Sequence, residues 1–226
     1  MTTQTREDAR SAAVFDLDGT ILPGTSAERE FIRFATATGE IGYAEQVARL
    51  ANWVLHVPTR GVIRNKTHFA GCDVHTISRL GRTFVDTWLM HLFPDEAFDM
   101  IRLHRDRGDV VGIVSGAPED LIAGLAGPLD LDFVVGTELE VRKGRLTGRV
   151  ARSHNSGATK VERALAVARR FSFDLTRSTA YGDAYTDRFL LSHVSRPVAV
   201  NPDSRLRKLA EANGWPVLSY GAGERI

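Results

Sequence analysis

Residues 14–20, with the sequence VFDLDGT, place an apolar run directly before two aspartates, Asp16 and Asp18. The run begins at Ala12 and does not alternate strictly between polar and apolar residues, which is typical of a strand buried on both faces. Gly19 allows the backbone to turn sharply after the strand. Two carboxylates this close repel each other, and a divalent cation is the simplest compensation because Mg²⁺ prefers carboxylate and phosphate oxygens. For this stretch alone, an ordinary strand end followed by an Asp-Gly turn stays open.

Five further short apolar runs resemble the first one, at residues 110–114, 132–135, 178–181, 197–200 and 216–219. Amphipathic segments separate most of them, and residues 158–171 place apolar side chains on one helical face. Residues 94–107 and 118–126 each begin with a proline, a residue favoured at the first helical position. This alternation predicts an α/β fold with a doubly wound, Rossmann-like parallel sheet of about six strands. Residues 141–146, centred on Lys143-Gly144, predict a small hairpin.

The stretch from residue 30 to residue 93 interrupts the alternation of strands and helices. It contains two helical patterns, at residues 41–55 and 77–92, and no convincing strand. We therefore predict a flexible tail at residues 1–11, a catalytic core at 12–29 and 94–226, and an inserted small helical cap domain at 30–93.

Composition excludes several classes of function. The 226 residues carry a net charge of +1, so no electrostatic argument favours nucleic acid or a membrane surface. The polar N-terminus does not read as a signal peptide, and no stretch approaches the length of a membrane span. Cys72 is the single cysteine, which suits a reducing compartment and is read as a small buried hydrophobe. We expect a cytoplasmic protein.

Three more places follow predicted strands or their helices, where ligands bind in an open α/β sheet. Ser115-Gly116 offers a hydroxyl and backbone N–H groups to a phosphate oxygen, although a helix cap is the more common role. Lys160 lies early in a predicted helix and is either a solvated lysine or a charge that balances phosphate. Asp183 follows another strand as a possible metal ligand, with Asp187 four residues later; helix capping is the alternative.

Taken in order along the chain, these motifs resemble the haloacid dehalogenase-like superfamily of phosphatases. The matching residues are Asp16-Leu17-Asp18-Gly19-Thr20, Ser115-Gly116, Lys160 and Gly182-Asp183-Ala184-Tyr185-Thr186-Asp187. The helical insertion between the first two motifs and the predicted hairpin are similar to the small-cap, phosphoserine phosphatase-like branch, subfamily IB.

The resemblance implies a role for each matched residue. Asp16 is the nucleophile that becomes an aspartyl phosphate, and Asp18 is the general acid and base. The Asp16 carboxylate, the Asp18 carbonyl and Asp183 hold Mg²⁺. Ser115, Gly116 and Lys160 bind phosphate, and Thr20 and Asp187 support the site. The implied activity is hydrolysis of a phosphomonoester.

The substrate is less defined by the sequence. The resemblance places a substrate-recognising glutamate of the family near position 25, where this chain has Thr25, which cannot pair with an ammonium group. This disfavours L-phosphoserine. Glu28 lies nearby, and Arg60 and Arg64 in the predicted cap are candidates for contact with an anionic or polyol substrate, with a solvated basic face as the alternative. We expect a small phosphorylated metabolite, with sugar, cyclitol, amino-alcohol and lipid-derived phosphates all open.

Three other functions compete with the hydrolase. A phosphotransferase uses the same residues with an alcohol as acceptor, and product analysis with added alcohols separates the two. A non-catalytic phospholigand-binding protein is disfavoured because Asp16 and Asp18 are both present. A two-component receiver is disfavoured because its acceptor aspartate normally lies further into the chain. The sequence does not indicate an oligomeric state.

Overall fold

A computed structural model describes residues 10–40 and 66–220. The strands are β1 (Ala12–Phe15), β2 (Val110–Pro118), β3 (Phe133–Thr137), β4 (Leu139–Arg142), β5 (Arg145–Val150), β6 (Thr179–Gly182), β7 (Arg196–Val200) and β8 (Val217–Leu218). The α-helices are α1 (Ala27–Ala37), α2 (Val74–Thr87), α3 (Asp95–Asp106), α4 (Glu119–Ile122), α5 (Ala158–Phe171), α6 (Arg188–Leu191) and α7 (Ser204–Asn213). Short 3₁₀ helices span Thr67–Phe69, Leu89–Leu92, Ala123–Ala126, Leu175–Arg177 and Tyr185–Asp187.

Six strands form one parallel sheet in the order β3-β2-β1-β6-β7-β8. The strand order reverses direction on either side of β1, so the carboxyl ends of β1 and β6 flank a topological switch point. Helices cover both faces, which confirms the predicted α/β, doubly wound sheet. β4 and β5 pair separately as an antiparallel hairpin, as the Lys143-Gly144 pattern predicts.

Alternate residues of each central strand belong to different cores. Ala13 and Phe15 pack into the cluster that includes α1, α2 and α4, whereas Ala12 and Val14 pack into the cluster beneath α5, α6 and α7. This two-sided burial explains why the strand sequences are apolar without alternation. The Phe15 ring also stacks on Tyr181 of β6, with ring centroids 4.5 Å apart, which ties the two strands at the switch point together.

The structure corrects several predicted helix details. Pro94 and Pro118 are N-caps rather than first helical residues. In place of the helix predicted at residues 118–126, the structure has the short helix α4 and a 3₁₀ turn. Strand β2 continues to Pro118, past the end of the apolar run at residue 114. The apolar face at residues 77–92 is shared between α2 and the 3₁₀ helix Leu89–Leu92.

The predicted domain limits stay predictions. The limit drawn between residues 29 and 30 falls inside α1, and the helical pattern at residues 41–55 lies outside the described residues. Arg10, in the predicted tail, contacts the core through hydrogen bonds with Phe171 and Asp174. In the ranges 10–40 and 66–220, no helix combines the length and apolar character that crossing a bilayer requires.

Helix α2 docks closely on α4, and Gly81 makes this approach possible. A methyl group at Gly81 would overlap the backbone carbonyl oxygen of Asp120, and Ser78, one turn earlier, donates a 2.6 Å hydrogen bond to the Asp120 carboxylate. We expect Gly81→Ala to lower the free energy of unfolding by about 1–3 kcal/mol in urea denaturation. Helix propensity alone predicts the opposite, a gain of about 1 kcal/mol.

The control for this prediction is Thr83→Ala, on the exposed face of the same helix. We expect it to leave the stability unchanged or slightly higher, because alanine is the better helix former. Stabilisation by Gly81→Ala would contradict the close docking.

Candidate active site

Three carboxylates converge where β1 and β6 end. Asp16 follows β1 directly, and its backbone N–H donates to the carbonyl oxygen of Tyr181 at 3.0 Å, which extends the pairing of the two strands by one residue. Asp183 follows β6, and Asp187 lies in the 3₁₀ turn after it. Carboxylate oxygens of these three aspartates lie within 4.8 Å of one another. The switch point of the sheet therefore creates the acidic cluster that the sequence predicted.

A buried lysine compensates two of these charges. Lys160 is on the first turn of α5, and its Nζ lies 2.7 Å from Asp16 Oδ1 and 2.7 Å from Asp187 Oδ1. Burial alone lowers the pKa of this lysine, but the two carboxylates outweigh burial and raise it, so Lys160 stays charged. An ammonium group has three N–H donors, so one remains for a further oxygen ligand.

Within residues 10–40 and 66–220, Lys160 is the cation that forms an ion pair with the cluster, and the structure places no such partner on Asp183. Burial, followed by the charges of Asp16 and Asp187, raises the pKa of Asp183 to about 8. Burial and the charge of Asp187 also raise the pKa of Asp16, although Lys160 opposes this. Oxygen-rich sites with excess negative charge suit a hard divalent cation. The donor set therefore fits Mg²⁺, with Asp16 and Asp183 as the available carboxylates, because Asp187 already accepts from Lys160 and from the Ala184 N–H.

The second aspartate of the first motif has a different environment. Asp18 Oδ1 accepts a 2.8 Å hydrogen bond from the N–H of Ala27, the first residue of α1, so the carboxylate is turned away from the three-aspartate cluster. Burial, reinforced by the charge of Asp16, raises the pKa of Asp18 to about 7. A carboxyl group with that pKa is suited to donate and accept a proton near neutral pH.

Two glycines leave room for the closely packed aspartates, Gly19 between the two loops and Gly182 within the loop after β6. Gly19 has φ +82°, and a methyl group there would overlap the Asp183 carboxylate. Gly182 lies against Asp187 in the same way, since its Cβ would be 2.6 Å from that of Asp187. Thr20, fully buried, donates a 3.1 Å hydrogen bond to Asp183 Oδ1 and so orients that carboxylate.

Asp183 connects the cluster to a pocket of about 580 Å³. Its walls include Asp18, Gly19 and Asp183 on the inner side. The other lining residues form what we call the outer pocket: Pro23, Gly24, Thr25, Ser26, Arg29, Asn201 and Tyr220. The volume exceeds that of a phosphate group, so a ligand bound at the carboxylates has room for an organic portion.

Comparison with known proteins agrees with this geometry. A family model described as haloacid dehalogenase-like hydrolase matches residues 13–192. The chain belongs to this family. The family assignment confirms the resemblance carried by the four sequence motifs, and it makes the protein a hydrolase. It covers the acidic cluster, Lys160 and Ser115, which are the residues that the motifs selected.

Individual relatives extend over nearly the whole chain. A phosphoserine phosphatase of Mycobacterium tuberculosis is 30% identical over 94% of this chain and 72% of its own length. A histidinol-phosphatase of Neisseria meningitidis is 27% identical over 93% of this chain and 99% of its own length. A solved structure from Bordetella pertussis, described as a protein with unknown function, has a TM-score of 0.78 and 26% identity over 93% of this chain and 98% of that one.

The predicted phosphate-binding pair lies on the neighbouring strand. Phe15 is paired with Ile113, so Ser115 is placed two residues past the level of Phe15, beside the loop that begins at Asp16. The Ser115 side chain is fully buried, and its Oγ accepts a 3.1 Å hydrogen bond from the Ala117 N–H. Gly116 is confined by His154, because a Cβ there would be 2.6 Å from His154 Cε1.

The candidate substrate residues divide into two groups. Thr25 lines the pocket, but its hydroxyl donates a 2.6 Å hydrogen bond to Glu30. Glu28 turns toward Lys66 and His68. Arg60 and Arg64 lie outside the described residues.

Sequence reasoning missed three residues that line the pocket, Arg29, Asn201 and Tyr220. Asn201 has φ +44°, a left-handed conformation that asparagine tolerates, and Tyr220 donates a 2.9 Å hydrogen bond to the Thr20 carbonyl. Only the Asn201-Pro202 pair carried a local signal, that of a turn. The places of Arg29 and Tyr220 depend on contacts between residues distant in sequence.

Removing Lys160 tests the charge balance of the cluster. We expect Lys160→Met to lower the free energy of unfolding by about 3 kcal/mol at pH 7.5 in EDTA, because it leaves buried carboxylates without a partner. Such carboxylates have a higher pKa when folded than when unfolded, so the folded variant binds more protons and its deficit shrinks as pH falls toward 5. Denaturant unfolding at both pH values measures this.

Lys208→Met removes the same charge from an exposed position on α7 and serves as the control. We expect little change in its stability at either pH. A deficit in Lys160→Met that is absent, or that does not depend on pH, would contradict the described charge balance.

Proposed function

We propose that the protein is a magnesium-dependent phosphomonoester hydrolase that acts through an aspartyl phosphate on Asp16. The observation that supports this best is the clustering of Asp16, paired with Lys160, with Asp183, because Asp183 lines the same pocket as Asp18, whose pKa is raised to about 7. The names of the two curated relatives, a phosphoserine phosphatase and a histidinol-phosphatase, support phosphomonoester chemistry. The two relatives are named for different substrates, so their names do not select a substrate for this chain.

In the first step, a carboxylate oxygen of Asp16 attacks phosphorus and the bond from phosphorus to the ester oxygen breaks. Asp18 donates its proton to that oxygen, and the alcohol leaves. Lys160 lies beside the attacking oxygen, and its third N–H is available to a phosphoryl oxygen. Bound Mg²⁺, held by Asp16, Asp183 and the Asp18 carbonyl, would supply charge stabilisation on the phosphoryl oxygens.

In the second step, Asp18, now a carboxylate, takes a proton from water, and the water oxygen attacks phosphorus. The bond from phosphorus to Asp16 breaks, which releases inorganic phosphate and restores both side chains. The hydrogen bond from Ala27 holds Asp18 Oδ1 in place, so Oδ2 is the oxygen that carries the proton. Ser115 and Gly116 would bind phosphoryl oxygens from the β2 side.

A pair of variants separates the two aspartate roles, with p-nitrophenyl phosphate as substrate. Nitrophenolate is a good leaving group, so its departure needs little help from an acid. We expect Asp18→Asn to release one equivalent of nitrophenolate in a burst and then turn over about 10²–10⁴-fold more slowly than wild type, because water lacks its base. Asp16→Asn should give neither burst nor turnover.

Stopped-flow absorbance measures the burst, and mass spectrometry of acid-quenched Asp18→Asn detects phosphate on the peptide containing Asp16. Wild-type activity in Asp16→Asn would refute the mechanism. A phosphorylated peptide elsewhere in the chain would move the nucleophile to another residue.

Metal binding is tested by thermal unfolding of the wild-type protein in the absence of substrate. With Mg²⁺ at about ten times its dissociation constant, we expect a stabilisation of about 1.4 kcal/mol. Asp183→Asn should lose this gain, because it removes a ligand, whereas the exposed control Asp86→Asn should keep it. An equal gain in all three proteins would place the cation elsewhere.

The predicted helical cap at residues 30–93 stays part of this proposal. Phe31 and Phe34 of α1 pack with Phe84 of α2, at ring centroid distances of 5.5 and 5.6 Å for the two pairs. Both helices pack in the core cluster that contains Phe15, and Ser26 and Arg29 at the start of α1 line the pocket. We propose that the cap encloses the organic portion of a small phosphorylated metabolite.

A further inference from the structure

The outer half of the pocket presents hydrogen-bond donors to a ligand. Arg29 is on the first turn of α1 and lines the pocket. Ser26, the N-cap, accepts from the Arg29 backbone N–H. Within residues 10–40 and 66–220, the guanidinium of Arg29 forms no ion pair and no hydrogen bond. A guanidinium is a planar, permanently charged group with a geometry that matches a carboxylate.

Asn201 carries a second donor beside the same pocket. Asn201 lines the pocket, and its Oδ1 accepts a 3.1 Å hydrogen bond from the Tyr220 N–H. That contact fixes the orientation of the amide, since only an oxygen accepts there. The Asn201 Nδ2 is buried, and among the described residues it has no hydrogen-bond partner. A buried donor without a partner is costly, and a ligand acceptor would satisfy it.

Carboxylates near the outer pocket are occupied by other side chains. Glu28 forms an ion pair with buried Lys66, and its other oxygen lies 2.8 Å from His68 Nε2. Although burial opposes it, the contacts with His68 and Lys66 lower the pKa of Glu28 to about 2. This carboxylate therefore stays ionised and committed to its two partners.

Glu30 is committed in a similar way. It is 2% exposed, and it accepts hydrogen bonds from Thr25 at 2.6 Å, Arg33 at 2.8 Å and Trp88 at 3.3 Å. In the part of the chain that the structure describes, the outer pocket thus has no free carboxylate to receive an ammonium group, while Arg29 would repel one.

We propose that the outer pocket selects phosphomonoesters whose alcohol portion carries an anionic group, a carboxylate in the simplest case, bound by Arg29 and Asn201. This inference rests on the proposed phosphatase function and adds the substrate class. The charge near the ester is what the pocket discriminates, so matched substrates that differ only in that charge provide the test.

Three two-carbon phosphates form such a set: 2-phosphoglycolate is anionic at the far end, 2-hydroxyethyl phosphate is neutral, and phosphoethanolamine is cationic. We expect wild-type kcat/KM to fall in that order, with at least about tenfold between the first and the last, the scale of one charge-assisted hydrogen bond. Arg29→Gln should reduce the ratio of the anionic to the cationic substrate by at least about fivefold and change the neutral one by less than about twofold.

Asn201→Asp keeps the side-chain size and replaces the free donor by an acceptor. We expect it to lower kcat/KM for 2-phosphoglycolate relative to kcat/KM for the neutral 2-hydroxyethyl phosphate. Any general loss of activity cancels in this ratio. Arg169→Gln removes the same charge as Arg29→Gln from the exposed end of α5, away from Lys160, and should leave all ratios unchanged.

The outcomes distinguish the inference from the proposed function. If neither the three esters nor p-nitrophenyl phosphate released phosphate, the proposed function would be overturned. Phosphate release with no charge preference, a preference for phosphoethanolamine, or a ratio that Arg29→Gln leaves unchanged would overturn only the substrate class. Melting temperatures of the variants, measured in parallel, verify that each one is folded.

Discussion

The ammonium of Lys160 offsets a charge problem that the topology of the sheet itself creates. Reversal of the strand order beside β1 brings the ends of β1 and β6 together, and each end carries an aspartate. Two like charges about 4 Å apart repel by about 4 kcal/mol at an effective dielectric constant near 20. Lys160 binds Asp16 and Asp187 at 2.7 Å each, so it holds two loops from separate strands in one arrangement. Among the residues that the structure describes, Asp183 has no ammonium or guanidinium partner, which fits the divalent cation that we propose for the site.

Close backbone approach is the second requirement of the arrangement. The loop after β1 meets the loop after β6 at Gly19, where a side chain would overlap the Asp183 carboxylate, and a side chain at Gly182 would overlap Asp187 within the β6 loop itself. The hydrogen bond from Asp16 N–H to the Tyr181 carbonyl and the stacking of Phe15 on Tyr181 fix the same two strands below the site. The reactive groups are therefore positioned by the rigid sheet rather than by flexible loops.

Local patterns were sufficient to predict the sheet and the acidic cluster. β1 and α5 have the predicted bounds, because a strand covered on both faces and a helix covered on one leave strong signals in the sequence. Pro94 and Pro118 were misassigned by one position, since proline is compatible with both the N-cap and the residue after it. The Glu28–Lys66 pair joins residues 38 positions apart and has no local signal. The partners in such a long-range ion pair can be identified only from the folded structure.

Helix α1 links Asp18, the proposed general acid and base, to the outer pocket. Its first residue, Ala27, holds Asp18 Oδ1, and Arg29, two residues later, lines the outer pocket. Glu28, between them, is fixed by Lys66 and His68. In the proposed mechanism, one turn of helix therefore carries both the contact that orients the general acid, Asp18, and the charge that meets the leaving group, Arg29. A leaving group that binds Arg29 is brought beside the Asp18 proton in the same event, so recognition of the alcohol and its protonation depend on one structural element.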